Sequence, residues 1–288
     1  MSNGFLRDQY RKICWGLIHS GPRRDVTVRT TNGLLTVDSK DWLIGKYLYV
    51  RRNHETEEMH GAIGLLQQGG YLRNSETLLN VGANLGMTCI AAIKLGYFKR
   101  AIAFEPEPNN YRLLCHNVRQ NGLQDQIACF QFALSSAERE MEMELSEDNS
   151  GDHRLRSSAN PGFFREERRR TIKVQVRTLD SVLASDARLQ AESVDLVWVD
   201  IQGHEGHFFQ GAHGFLGRGL PVVSEFWPYG IERAGATPAV FCATVAGLFT
   251  HFYVLPEAIK RPIREIVNLF SVYRKPRQVC LIVLVRES

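Results

Sequence analysis

Short apolar runs alternate with segments of helical periodicity from residue 75 to the end of the chain. The runs are rich in β-branched and aromatic residues, and several are apolar on both faces, as the central strands of a parallel sheet are. This alternation predicts an α/β fold, with a mostly parallel sheet and helices on both faces. The predicted strands are TLLNV (77–81), RAIAFE (100–105), IACFQFAL (127–134), TIKVQV (171–176), VDLVWVDI (194–201), PVVSEFW (221–227), FYVLP (252–256) and VCLIVLV (279–285).

Residues 1–74 show a different pattern and are predicted to form an N-terminal extension. This extension, a helix, a β-hairpin and a second helix, is expected to pack on a core domain of residues 75–288. The hairpin turns around Asn32-Gly33, a pair that favours tight hairpin turns. The second helix ends at Gly69-Gly70, because glycine readily adopts the conformation that terminates a helix.

Composition excludes several classes of protein. The 288 residues are 44% hydrophobic, enough for a full core. No apolar run approaches the roughly 20 residues that cross a bilayer, and charges interrupt the apolar part of the first 24 residues, so neither a membrane span nor a signal peptide is predicted. The six cysteines lie far apart without a C-x-x-C pair, which favours reduced thiols. The expected location is the cytoplasm.

The net charge of +4 is concentrated in one segment. Residues 154–170 hold six arginines and two glutamates, a net charge of +4 (6 − 2), so the rest of the chain balances to zero. The wider segment 146–170 is too polar for a core element and is predicted to be a solvated, mobile loop. A lid that closes over a bound ligand is the sharper interpretation.

Two glycines and an asparagine follow the first predicted strand of the core. Gly82 permits a sharp exit from the strand, Asn84 is the non-glycine residue that best tolerates a positive φ, and Gly86 lets helix and ligand come close. A helix then begins near Met87. A strand, such a turn and a helix N-terminus form a cofactor cradle at the carboxyl edge of a parallel sheet. A tight turn without a ligand is the alternative interpretation.

Acidic side chains end two further predicted strands. Glu105 stands where an acidic residue accepts hydrogen bonds from the two hydroxyls of a nucleoside ribose, and Asp200 ends a third apolar strand. A nicotinamide dinucleotide would require glycines in place of Asn84 and Met87, and no phosphate-binding G-x-x-x-x-G-K-[ST] loop occurs. S-adenosylmethionine is a nucleoside with a small zwitterionic tail and no phosphate. It fits these residues best and is the predicted cofactor.

An ordered set of motifs spans residues 55 to 230. Its positions are V-G-A-N-L-G (81–86), F-E-P (104–106), Leu114 with Asn117 and Asn121, Asn149 with Gly151 and His153, T-L-D (178–180), Asp200 with Gly203 and Glu205, and Pro221 with Glu225. This set resembles the FkbM type of class I S-adenosylmethionine-dependent methyltransferases. The resemblance implies a Rossmann-like, seven-stranded sheet and transfer of a methyl group, usually to a hydroxyl oxygen of a sugar, polyketide or other natural product. A small-molecule, sugar or glycan acceptor is therefore expected as the partner, and nucleic acid is not.

The turn, the strand ends and the resemblance together predict the site residues. The predicted cofactor-binding residues are Asn80, Gly82, Ala83, Asn84, Gly86, Met87, Glu105, Pro106, Phe132, Ala133 and Asp200. A hydroxyl acceptor must release a proton, and the predicted catalytic residues are His153, Asp200 and Glu225, with His204 and His207 as further candidate bases. The residues predicted to contact the acceptor are Asn149, His204, Trp227 and Tyr229. The rings of the two aromatic residues are expected to pack against the face of a sugar.

Two residues depart from the family pattern, which has an acidic residue in place of Asn80 and a glutamate in place of Gln202. An amide accepts hydrogen bonds but cannot offset the positive charge of the cofactor as a carboxylate would. A non-catalytic protein that binds the nucleoside, and an RNA methyltransferase, therefore stay open as alternatives. No metal site is predicted, since His204 and His207 in H-E-G-H lie one residue too close for a zinc helix and lack a third ligand.

Overall fold

The computed structural model describes residues 2–186, 189 and 193–287. Its strands are β1 (Asp25–Thr30), β2 (Gly33–Asp38), β3 (Thr77–Val81), β4 (Arg100–Phe104), β5 (Ile127–Phe130), β6 (Ala133–Leu134), β7 (Arg139–Glu144), β8 (Arg154–Leu155), β9 (Thr171–Arg177), β10 (Val194–Val199), β11 (Val222–Phe226), β12 (His251–Leu255), β13 (Arg261–Pro262) and β14 (Cys280–Val285). Its α-helices are α1 (Ser2–Ser20), α2 (Ile44–Arg51), α3 (Thr56–Gln68), α4 (Met87–Lys94), α5 (Pro108–Gln120), α6 (Leu179–Ser185), α7 (Glu205–Gly211), α8 (His213–Leu216), α9 (Pro228–Arg233), α10 (Pro238–Leu248) and α11 (Val267–Val272). Two short 3₁₀ helices are Glu166–Arg168 and Ile263–Ile266.

The main sheet confirms the predicted α/β architecture. Its order is β13-β12-β14-β11-β10-β3-β4-β5. The neighbours from β11 to β5 pair in parallel, whereas β14 pairs antiparallel with both β11 and β12. The sheet has eight strands rather than the seven expected, because the two-residue strand β13 adds to the β12 edge.

Successive residues of the central strands belong to two different cores. Leu78 of β3 and Ala101 of β4 pack into a cluster with α3, α4 and α5. Leu79 of β3 and Ile102 of β4 pack into a second cluster with α7 and α10. Because side chains alternate across a strand, helices cover both faces of the sheet, and its carboxyl edge remains as the place for a site.

The predicted hairpin forms with a small change in its turn. Thr30 pairs with Gly33, so the two turn residues are Thr31 and Asn32, and Gly33 already belongs to β2. Helix α5 holds this hairpin against the core, because the Asn117 side chain accepts a hydrogen bond from the amide of Thr36 (2.7 Å).

The Arg-rich segment is anchored to the protein through β8, so the prediction of a solvated loop is wrong for its buried residues Arg154, Leu155 and Glu166. Strands β7, β8 and β9 form a second, four-stranded sheet with β6. The buried guanidinium of Arg154 forms ion pairs with Asp152 (2.9 Å) and the fully buried Glu166 (3.2 Å). Arg233 of α9 also pairs with Glu166 (3.3 Å). Pairing offsets the cost of burying these charges, which is why a segment of such polar composition packs.

None of the helices in the described ranges has the length and apolar character that crossing a bilayer requires.

Candidate functional site

A cavity of about 440 Å³ opens at the carboxyl ends of β3, β4 and β10. This volume lies within the range of pockets that hold cofactors and small substrates. All but two of the predicted site residues line it: Asn80, Gly82, Ala83, Asn84, Met87, Glu105, Pro106, Phe132, Ala133, Asn149, His153, Asp200, His204, Glu225 and Trp227. The fold therefore brings together side chains that are up to 147 residues apart in the sequence, from Asn80 to Trp227 (227 − 80).

The turn after β3 is held tightly against the neighbouring strands. Gly82 has a φ of +81°, and a Cβ atom on it would lie 1.8 Å from the carbonyl oxygen of Asp200. The amides of Gly82 and Ala83 both donate to the carbonyl oxygen of Phe104 (3.0 and 2.9 Å). Only glycine fits at the start of this turn, and its missing side chain lets the turn pack against the backbone at the end of β10.

Backbone amides orient the carboxyl group of Glu105. The amide of Asn84 donates to Glu105 Oε2 (2.8 Å), and the amide of Glu107 donates to Glu105 Oε1 (2.9 Å). Burial raises the pKa of Glu105 to about 8, although both hydrogen bonds favour the charged form. Each carboxyl oxygen keeps further acceptor capacity towards the cavity.

Two buried acceptors in the cavity wall have no partner among the described residues. They are the side-chain oxygens of Asn80 and Asn84. Orphaned buried acceptors are costly, so they indicate a bound donor. The amino group and the ribose hydroxyls of S-adenosylmethionine are donors of this kind, and the residues present fit such a cofactor.

The amide of Gln202 bridges two carboxyl groups. Its Nε2 donates to Asp200 Oδ1 (2.7 Å) and to Glu225 Oε2 (3.1 Å). Burial in the crevice, and then the nearby Glu55 carboxyl group, raise the pKa of Asp200 to about 6. Burial, followed by Asp200, raises the pKa of Glu225 well above its ordinary value. Two buried carboxyl groups joined by one amide donor disfavour simultaneous ionisation, so the pair holds a proton more tightly than isolated carboxyl groups do.

His153 is held in a form that does not suit a base. Its Nδ1 accepts a hydrogen bond from the amide of Ser146 (3.1 Å), and burial lowers the pKa of His153 to about 4. A neutral imidazole that accepts at Nδ1 carries its proton on Nε2. The ring can donate a hydrogen bond into the cavity, but neither nitrogen is free to take up a proton.

His204 and His207 are neighbours whose rings stack, with centroids 4.4 Å apart. His204 Nε2 is bonded to the hydroxyl of Ser135 (2.8 Å), and burial, followed by His207, lowers the pKa of His204 to about 3. His207 Nε2 lies 2.9 Å from the carbonyl oxygen of Ala234, outside the cavity. Among the residues that the structure describes, no group of three or more His, Cys, Asp or Glu side chains is arranged to hold a metal ion.

Two predicted site residues do not line the cavity. Gly86 has a φ of +87°, and a Cβ on it would lie 2.8 Å from Leu114 of α5, so this glycine serves helix packing. The Tyr229 hydroxyl donates to Glu166 (2.7 Å) and accepts from the amide of Phe163 (2.8 Å). Because both bonds tie the Arg-rich segment to α9, Tyr229 supports that segment and does not face an acceptor.

Part of the cavity wall comes from the N-terminal segment, which sequence reasoning missed. The residues are Leu43, Ile44, His54 and Glu55. The carboxyl group of the buried Asp41 accepts hydrogen bonds from the hydroxyl and from the amide (3.2 Å) of Ser150. The carbonyl oxygen of Ser150 in turn accepts from the side-chain amide of Asn84 (3.2 Å). This chain of contacts links the extension, the loop 146–153 and the glycine turn, and no local sequence pattern signals it.

The comparisons with known proteins point to one family. The model of the methyltransferase FkbM domain matches residues 80–240, more than half of the chain. No curated protein matches the chain in sequence.

Solved structures resemble the chain at low identity. A methyltransferase FkbM from Methylobacillus flagellatus KT shares 15% identity, with 83% of this chain and 54% of that one covered and a TM-score of 0.45. The chain thus spans about half of the length of that structure. A putative tRNA methyltransferase from Streptococcus pneumoniae shares 12% identity over 82% and 72% of the two chains, with a TM-score of 0.41. The precorrin-6y C5,15-methyltransferase of Geobacter metallireducens shares 11% identity over 81% and 90%, with a TM-score of 0.39.

Proposed function

Because the chain belongs to the FkbM methyltransferase family, we propose that it transfers the methyl group of S-adenosylmethionine to a hydroxyl oxygen of a sugar, glycan or natural product. The observation that carries this proposal is the single cavity in which Glu105, oriented by two backbone amides, lies with the bridged pair of Asp200 and Glu225. Residues 75–288 act as the catalytic domain and residues 1–74 as an extension that contributes to its wall. The reaction takes place in the cytoplasm.

The glycine turn and Glu105 bind the cofactor. Glu105 accepts hydrogen bonds from the two ribose hydroxyls, while the orphaned oxygens of Asn80 and Asn84 accept from the remaining donors, the amino group among them. Phe132 and Ala133 line the cavity and would hold the adenine ring against their apolar surface. When bound, the cofactor supplies a methyl carbon that its positively charged sulfur already activates.

Asp200 takes the proton of the acceptor hydroxyl. A base works best when its pKa lies near the working pH, and a pKa of about 6 keeps Asp200 ionised at pH 7. The side-chain and backbone amides of Gln202 both donate to the Asp200 carboxyl group, whose oxygens keep further acceptor capacity for the hydroxyl. The raised pKa of Glu225 favours its protonated form, which would donate a hydrogen bond to the acceptor.

Aromatic rings and loop residues form the side of the cavity that receives the acceptor. Trp227 and Phe164 line it with their ring centroids 5.9 Å apart, and the Trp227 Nε1 donates to the carbonyl oxygen of Pro276 (2.7 Å), which fixes the ring. A fixed aromatic surface suits the apolar face of a sugar ring. His153 donates from Nε2 and positions the acceptor.

Two alternative functions make different predictions. An RNA methyltransferase needs a free basic surface, but Arg154, Arg156 and Arg169 of the Arg-rich segment form ion pairs within the protein. A non-catalytic protein would bind the cofactor without transfer, as the amides Asn80 and Gln202 would permit.

The test is a screen of glycan and polyketide acceptors with methyl-labelled S-adenosylmethionine. The wild type is compared with Asp200→Asn, which keeps the size of the side chain but removes the base. We expect label on the hydroxyl oxygen of one acceptor class and a rate about 10²-fold or more lower in the variant. Cofactor binding without transfer to any acceptor supports the non-catalytic alternative.

A further inference from the structure

Helix α1 carries an exposed apolar stripe. Leu6, Tyr10, Ile13 and Leu17 are each between 64% and 72% exposed. Their spacing of four, three and four residues puts them on one face of the helix. Large apolar side chains that are exposed as a contiguous group mark an interaction surface.

The opposite face of α1 anchors the helix to the protein. Trp15 is fully buried in the main core, where its ring lies against Gly45. Arg11 donates to the carbonyl oxygen of Val50 (3.0 Å), and Asp8 pairs with Arg51 (3.0 Å). The stripe therefore points away from the body of the protein, and within the described part of the chain nothing covers it.

The exposed Arg7 and Lys12 flank the stripe, whereas Arg11 lies on the anchored face and Arg23 pairs with Asp38. Residues 5–24 contain five basic side chains and one acidic side chain, Asp8, a net charge of +4 (5 − 1). Arg7 follows Leu6 of the stripe, and Lys12 precedes Ile13. Because consecutive residues of an α-helix are rotated about the axis, these two side chains lie on opposite sides of the stripe. Long basic side chains at such positions keep their charge in water while their stems cover apolar surface.

A second exposed apolar group continues the surface. Trp42, Leu43 and Tyr47 are partly exposed, and the Trp42 ring contacts His19 in the last turn of α1 (centroids 4.9 Å apart). Lys46 lies over the Trp42 ring (3.9 Å). Leu43 also lines the cavity, so the apolar surface extends to the edge of the candidate active site.

We propose that α1 and the Trp42 group bind the surface of an anionic phospholipid membrane, with the stripe inserted among the lipids and the basic residues at the headgroups. Apolar residues with Tyr and Trp on one side and Lys and Arg at the flanks are the features of helices that lie in a membrane interface. Charge complementarity favours this occupant over a second copy of the chain, because pairing two α1 helices would bring one +4 segment against another. The proposal is independent of the proposed methyl transfer.

The test is co-sedimentation of the full chain with two kinds of vesicle, phosphatidylcholine alone and equimolar phosphatidylcholine and phosphatidylserine. We expect binding to the anionic vesicles, weaker binding in high salt, and binding to the neutral vesicles that is at least about tenfold weaker. The double variant Ile13→Glu, Leu17→Glu should lose at least about tenfold in affinity for the anionic vesicles, because it removes two inserted side chains.

The matched control is Val240→Glu, Ile259→Glu. It replaces two exposed apolar residues elsewhere by the same acid and changes the net charge equally. We expect this control to bind as the wild type does. Equal losses in both double variants would mean that net charge alone drives binding and would overturn the role of the stripe. Absence of vesicle binding, with a wild-type dimer in light scattering that Ile13→Glu, Leu17→Glu makes monomeric, would assign the stripe to a second copy instead.

Discussion

Replacing Gln202 by methionine should raise the pH at which the enzyme becomes active. Methionine has nearly the shape of glutamine but donates no hydrogen bond. The substitution removes both bonds of Nε2, to Asp200 (2.7 Å) and to Glu225 (3.1 Å), without adding a charge. It also leaves the backbone strain at this position similar, because the φ of +56° at Gln202 is unfavourable for either side chain.

The magnitude follows from the bond to Asp200. A hydrogen bond to a charged group contributes about 1.5 to 3 kcal/mol, and one pKa unit corresponds to about 1.4 kcal/mol. Loss of the donor should therefore raise the pKa of Asp200 from about 6 to roughly 7 or 8. A raised pKa means that the active anion is lost at a higher pH, so the rate should fall up to about tenfold at pH 7 and be unchanged at high pH.

The assay is the pH dependence of turnover at saturating cofactor, with the acceptor that the screen identifies. The matched control is Asp200→Asn, in which the titration should disappear. Adding Gln202→Met to Asp200→Asn should then change little, since the two residues act through one bond. The shift is also measurable without an acceptor, from the ¹³C resonance of the labelled Asp200 carboxyl group.

Two results would refute the reasoning. A midpoint that stays at the wild-type pH would mean that Gln202 does not stabilise the ionised base. A rate that falls equally at every pH would mean that the substitution distorts the site. Calorimetry would then show whether the affinity for the cofactor is also reduced.

Three further predictions concern the cofactor, the loop and the fold. Glu105→Gln should weaken cofactor binding in calorimetry by about 0.5 to 1.5 kcal/mol, because it replaces one carboxyl acceptor oxygen for the ribose by an amide donor; an unchanged affinity would contradict that role. His153→Ala should lower turnover by less than about tenfold, since its Nδ1 is already bonded to Ser146; a loss of about 10²-fold would restore His153 as the base. Arg154→Ala should lower the free energy of unfolding by about 3 to 5 kcal/mol, because it leaves buried carboxylates unpaired. The control Arg168→Ala, at an exposed residue, should change it by less than about 0.5 kcal/mol. Similar denaturation midpoints for the two variants would contradict the stabilising role of the buried ion pairs.

Local sequence patterns predicted most of the main sheet. Strands such as β3 and β10 are mostly apolar runs, and the glycine turn at Gly82 is a short-range signal that needs no knowledge of the rest of the fold. Since parallel strands end at one edge, Glu105 and Asp200 could be expected near each other from their strand ends alone. The position of the cavity could therefore be predicted from the sequence.

Neither the second sheet nor the N-terminal part of the cavity wall could be predicted from the sequence. Arg154 can be buried because the carboxyl groups of Glu144 and Glu166 pair with it. Composition alone cannot show which charges will pair. Asp41 is joined to Ser150 across more than a hundred residues. His153 accepts a hydrogen bond from the Ser146 amide, a contact that no local sequence pattern predicts.

The most direct test of the central claim, that the cavity binds S-adenosylmethionine, is isothermal titration of the wild type and of Gly82→Val. NADH is the control ligand. Valine at Gly82 would push the turn away from the end of β10, because a Cβ there would lie 1.8 Å from the Asp200 carbonyl oxygen, and a melting curve must show that the variant still folds. We expect binding of S-adenosylmethionine at one site of the wild type, no binding of NADH, and loss of binding in the folded variant. A wild type that binds no S-adenosylmethionine, or a folded variant that binds it equally well, would contradict the account.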